Sequence, residues 1–130
     1  MNATQIRIAR PTNRWDEVLE FYESGLGLPR IGSFENHDGY DGIMLGMPKA
    51  NVHLEITQHR DGSICASPTD DNLLVFYFDT PQKYQKAVEQ LENTGVVEVK
   101  PENPYWIGKG KSYKDPDGWG IVLFNGVYSS

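Results

Sequence analysis

The chain has 130 residues and a mass of 14.7 kDa, about one ordinary domain. Its 12 Lys and Arg against 18 Asp and Glu give a net charge of −6 and a pI near 4.9; this argues against nucleic acid or an anionic membrane as partner, since both need a basic face. No run approaches the ~18 apolar residues of a membrane helix. The N-terminus lacks a signal-peptide pattern, and the single Cys65 leaves no internal disulfide or Cys-rich metal site, so a soluble, cytoplasmic single domain is expected.

Residues 4–10 alternate, with Ile6 and Ile8 on one side and Gln5, Arg7 and Ala9 on the other, the period of a half-buried strand. Asn13 is a candidate helix cap. Trp15, Val18, Leu19 and Tyr22 then form one helical stripe, with Gly25 as its expected end. Residues 28–34, 42–47 and 51–58 read as three short strands, the last two joined by a turn at Gly46-Met47-Pro48-Lys49. Residues 62–71, rich in Ser, Pro, Thr and Asp, read as a loop.

The plan then repeats. Residues 73–79 are an apolar strand, and Thr80-Pro81 opens a helix with proline where its missing N–H costs nothing. Tyr84, Ala87, Val88 and Leu91 form its stripe and Gly95 its close; strands are expected at 96–99, 109–114 and 120–125, with Asp115-Pro116-Asp117-Gly118 turning between the last two. The two helix stripes begin 69 residues apart and the two closing glycines 70 apart, which marks an internal duplication. The modules run over about 4–61 and 72–126, joined by loop 62–71.

Two βαβββ modules, with Phe21-Tyr22 late in the first helix, Gly25-Leu26-Gly27-Leu28 after it and the Asp-Pro-Asp-Gly turn before the last strand, resemble the glyoxalase / bleomycin-resistance / extradiol-dioxygenase superfamily, also called vicinal oxygen chelate. The resemblance runs from Ile6 to Phe124. It implies an α+β fold in which the modules form a cupped mixed sheet with helices on the outside and the ligand in the cup. In metal-dependent members, the first and last strands of each module supply His and Glu ligands. Carried onto this chain, those positions are Arg7, Glu55, Leu73 and Val122. A divalent ion wants three or four imidazole or anionic oxygen donors. Leu73 and Val122 offer none and Arg7 is a fixed cation, so neither metal nor other cofactor is expected.

Strand parity places Arg7, Ala9, His53, Glu55 and Thr57 on one wall of the cup and Leu73, Val75, Tyr77, Val122 and Phe124 on the other. A polar wall facing an apolar, aromatic one suits a small-molecule pocket. Arg7 could hold an anion, and His53 with Glu55 could act as acid and base. Alternatively Arg7 pairs Glu55, and His53 is a core histidine. Tyr105 and Trp106, beside Pro104 in a long connection, are expected near the mouth; Phe34 and the glycine-punctuated turn at residues 37–42 are further loop candidates. These loops resemble those of a set of glyoxalase-like proteins with no assigned activity. Cys65 has no basic neighbour in sequence to activate it.

The leading reading is metal-independent binding of a small organic molecule, hydrophobic or aromatic with a carboxylate or other anionic group. Alternatives are a glyoxalase-like isomerase or lyase, or a dioxygenase-like enzyme, using a displaced metal site or His53/Glu55, and a structural subunit with a filled cup. The resemblance also implies a homodimer, because many short members build their cups across two chains.

Overall fold

In the computed structural model, which describes residues 1–47 and 49–129, the first module folds as β1 (Ile6–Pro11), α1 (Trp15–Leu19), β2 (Arg30–His37), β3 (Tyr40–Met47) and β4 (Val52–His59). Its sheet has the order β1–β4–β3–β2, with β1 parallel to β4 and the other pairs antiparallel. The second module folds as β5 (Leu73–Phe78), α2 (Pro81–Asn93), β6 (Gly110–Lys114) and β7 (Gly120–Asn125), its sheet ordered β5–β7–β6 with β5 parallel to β7. Each module thus pairs its first strand with its last across a helical crossover. Pro48 of the expected turn lies outside the described residues; beside it, the Ala50 N–H donates to the Met47 carbonyl at 2.9 Å. No helix among the described residues is long and apolar enough to cross a membrane.

The strand expected at 96–99 is reduced to one bridge, Val99 to Ser112. The Val99 N–H donates to the Ser112 carbonyl at 2.8 Å. The next donor in an antiparallel ladder would come from residue 101, which is proline and has no N–H. The first helix also differs from expectation. Asn13 does not cap it, because its side chain bonds the Ser63 backbone across the connecting loop instead. After α1 the chain widens into a π-helical turn, Glu20–Gly25. Gly25 does not take the left-handed conformation; Gly27 does, at φ 71°. Gly25 serves close packing, since a Cβ there would lie 2.9 Å from Leu91 Cδ1. The second helix follows its sequence signals: Thr80 accepts from the Lys83 N–H, and Gly95 closes the helix at φ 93°.

One apolar core joins both modules. Val18, Phe21 and Tyr22 from the first helical segment and Val88 and Leu91 from α2 pack with Leu45, Leu54 and Ile56 of one sheet and Tyr113, Ile121 and Leu123 of the other. Both sheets therefore turn their helix-side faces toward this shared core, and their other faces look away from it.

A buried ionic cluster ties the modules together. Arg10 continues the Ile6–Ile8 side of β1 but is only 7% exposed. Its Nη2 donates to Asp117 at 2.7 Å and lies 3.4 Å from Asp115. The Thr12 and Tyr22 hydroxyls donate to Asp117 and Asp115, each at 2.7 Å. The Trp119 ring, 5.4 Å from the guanidinium carbon, covers the cation. Burial and the adjacent Asp115 push the Tyr22 phenol far above its ordinary value, so it remains a donor.

On the other side of the core, Tyr113 and Lys111 donate to Glu92 at 2.6 and 3.0 Å, and hold its carboxyl below the usual range. A lowered folded-state pKa adds stability above the unfolded value, and that stability is lost as pH falls through the folded value. The melting-temperature gap between wild type and Glu92→Gln is therefore expected to be widest near neutral pH and to close as the pH drops below the carboxylate range. Thermal melts at stepped pH check this; a gap independent of pH contradicts it.

Candidate functional site

Register decides which side chains share a face. Ile8 runs level with Leu54 of β4, whereas Arg7 is level with His53 and Ala9 with Glu55. Leu54 is core, so Arg7, Ala9, His53, Glu55 and Thr57 lie on the outer face. Gly42, Met44 and Gly46 of β3 pair with Thr57, Glu55 and His53 and share that face.

Three side chains form one unit there. Arg7 Nε donates to His53 Nε2 at 2.8 Å and Nη1 to Glu55 Oε2 at 3.2 Å. Because His53 Nε2 accepts, the proton of the neutral ring sits on Nδ1; that atom is buried with no hydrogen-bond partner among the described residues. The Arg7 side chain is 50% exposed and that of Glu55 only 14%. The carboxylate and imidazole, both more buried than Arg7, thus hold the guanidinium, and its remaining N–H groups have no partner among the described residues. Glu55 balances the charge, and the outermost group of the unit is a positioned cation.

The outer face of the second sheet is aromatic. Tyr77 is level with Phe124, with ring centroids 5.1 Å apart. Trp106 stands edge-on to Phe124 at 6.0 Å and to Tyr105 at 4.9 Å. Asn103 caps the single 3₁₀ turn Pro104–Trp106 by accepting from the Tyr105 N–H, which sets both rings. Val122 is 1% exposed. It lies with Leu73, Ser112, Asn103 and Trp106 around a cavity of about 60 Å³, roofed by the segment that follows the truncated strand. Val75 lines a different feature, an open apolar groove of about 550 Å³ where Ile8, Val52 and Leu54 flank one side and Leu74, Phe76 and Tyr77 the other.

Within one chain the two walls do not meet. Among the described residues Arg7, His53 and Glu55 bond one another, Tyr77, Phe124, Trp106 and Tyr105 touch one another, and no hydrogen bond, ion pair or ring contact joins the sets. This follows from both helix-side faces meeting one core. Ile6 and Ile8 depart from the sequence expectation in a related way: they lie on the helix side of β1 yet are 55% and 41% exposed, at the sheet edge rather than under a helix.

A model of the YycE-like N-terminal domain matches residues 6–57, and one of the YycE-like C-terminal domain matches residues 71–125. The chain belongs to the YycE-like family. It is 50% identical over 123 residues to the YycE protein of Bacillus subtilis (strain 168), covering 95% of this chain and 88% of that one. A crystal structure of a Bacillus subtilis YycE protein of unknown function superposes with a TM-score of 0.90 at 49% identity, covering 98% of this chain and 93% of that one. The fosfomycin resistance protein FosX of Mesorhizobium loti superposes at 0.72 with 14% identity, over 98% and 94% of the two chains. FosX of Listeria monocytogenes, solved with Mn(II) and a dihydroxypropylphosphonic acid, superposes at 0.64 with 17% identity, over 97% and 90%. At those identities the likeness establishes the glyoxalase/fosfomycin-resistance fold alone.

The donor set of this YycE-like chain does not fit such a metal. Of the four positions the fold implies, Glu55 is engaged by the Arg7 cation, Leu73 and Val122 carry no donor atom, and Val122 is roofed over. No group of three or more His, Cys, Asp and Glu among the described residues could hold an ion. Sequence reasoning passed over Met44, on the Arg7 face, and Arg10; the signal for Arg10 was a charged residue in phase with Ile6 and Ile8.

Proposed function

We propose that the chain is a metal-independent binding protein for a small organic molecule with an anionic group, held at Arg7, and that it acts as a homodimer in the cytoplasm. The observation that carries this reading is the Arg7 fork: His53 and Glu55 fix it, and its other N–H groups have no partner among the described residues on a side chain that is half exposed, the arrangement that suits a carboxylate. The dimer is supported by the geometry of the walls. Each chain has a polar wall and an aromatic wall facing apart, with an apolar groove between the open edges of β1 and β5. A second copy seated on those edges sets Arg7 of one protomer opposite the partner's Tyr77, the partner's Phe124 and the partner's Trp106 and covers the groove. The enzymatic alternative has less support, because Arg7 already occupies the His53 ring nitrogen and a Glu55 oxygen that proton transfer would use.

A thermal-shift screen of small carboxylates tests the reading. A ligand at 100 times its Kd adds about 2.7 kcal/mol, several degrees in a domain of this size. Arg7→Met is expected to remove that shift while costing the ligand-free protein about 1–3 kcal/mol, since Arg7 is half exposed but leaves the largely buried Glu55 carboxylate and His53 ring without their donor. A shift unchanged by Arg7→Met, or one that appears only with added divalent metal, overturns it.

A further inference from the structure

We propose that Phe34 is a stacking platform that makes the Arg7 site select flat aromatic carboxylates over aliphatic ones; this rests on Arg7 being the anion anchor. Phe34 pairs with Gly42 in the β2–β3 ladder. Its ring occupies the space a Cβ on Gly42 would need, so it lies across β3 instead of standing beside it. Gly42 pairs with Thr57 on the outer face, so the ring belongs to the same wall as Arg7, His53 and Glu55. The rest of that wall is levelled the same way: Ile31 lies over Gly46, and the Met44 methyl reaches Gly32. Ala9, level with Glu55, adds no bulk.

The result is a shallow floor with an aromatic plate at one end and a held guanidinium at the other. Among the described residues, the only ring packed on Phe34 is His37, edge-on at 6.3 Å. The plate lies over β3 at the level of Thr57, whereas Arg7 is anchored over β4 between His53 and Glu55, with its Nη1 at the level of Glu55. One strand spacing across and one same-face step along separate them by about 8 Å. A single ring carrying one carboxylate bridges that distance, its face offset-stacked on Phe34 and its oxygens on the remaining Arg7 N–H groups. A saturated ring of equal size reaches Arg7 equally well but has no π-face to offer.

Amide-resolved NMR titration with benzoate and cyclohexanecarboxylate tests this directly. The expected result is that the wild-type protein binds benzoate about 2- to 10-fold tighter. Phe34→Leu should erase that preference with little change in cyclohexanecarboxylate binding, whereas Arg7→Met should lose both. Gly42→Ala, which displaces the ring without deleting it, should also erase the preference and serves if Phe34→Leu does not fold. An aromatic preference that survives both variants, or equal wild-type affinities for the two acids, overturns the role of Phe34 and leaves the Arg7 anchor standing. Binding of neither acid to the wild type overturns both.

Discussion

Replacing Arg10 with methionine is expected to cost about 3–5 kcal/mol, because it leaves two buried carboxylates without their cation. The Asp115 side chain is fully buried and that of Asp117 is 3% exposed. Their remaining partners are the Thr12 and Tyr22 hydroxyls, the Cys65 thiol and backbone N–H groups, which orient the carboxylates, and Arg14, whose Nε lies 3.8 Å from Asp117 on a side chain that is 61% exposed and so compensates the buried charge only weakly. Arg10 also ties the turn before β7 to the end of β1, together with Thr12, so its loss weakens that junction as well as stranding charge. The expected fall in melting temperature is on the order of 10 °C or more. A double-mutant cycle with Asp117→Asn should show strong coupling. A loss below about 1 kcal/mol would mean that the cluster is solvated.

A single charge at Ile8 is expected to convert the proposed dimer to monomers. Ile8 is 41% exposed and lines the groove between the β1 and β5 edges. An aspartate there places an unpaired carboxylate in an apolar interface, a cost of several kcal/mol that weakens association by orders of magnitude. The monomer should keep its fold, because Ile8 is not part of the buried core. Sedimentation velocity of wild type and Ile8→Asp checks this. A wild type that is monomeric at tens of micromolar, or a variant that stays dimeric, contradicts the proposed interface.

Much of the fold is legible because its signals are local. Alternation in β1 separates Arg7 from Ile8, the Thr80-Pro81 cap starts α2, and the Asp-Pro-Asp-Gly turn precedes β7. The repeat of these signals carries the duplicated plan. What escapes a sequence reading is non-local. The π-helical turn brings Tyr22 to Asp115, 93 residues away, and no spacing along the helix encodes that partner. Pro101 shortens a strand whose valines have ordinary strand propensity, because only the ladder donor is missing. Parity gives a face but not what covers it: Val122 is on the outer face as its phase implies, yet the segment before β6 roofs it. The direction in which the two walls look depends on both helices sharing one core, which no single strand records.

The most direct measurement mixes two defective chains. Arg7→Met protomers lack the anchor and Trp106→Ala protomers lack part of the aromatic wall. If each cup takes one wall from each protomer, the mixed dimer contains one cup with both defects and one with none. Fluorine NMR with 4-fluorobenzoate should then show binding restored to about one site per mixed dimer, absent from the Arg7→Met dimer and weakened in the Trp106→Ala dimer. Cups built within single chains would leave no intact site in the mixture, and mixed dimers that bind no better than the Trp106→Ala dimer alone would contradict the shared cup.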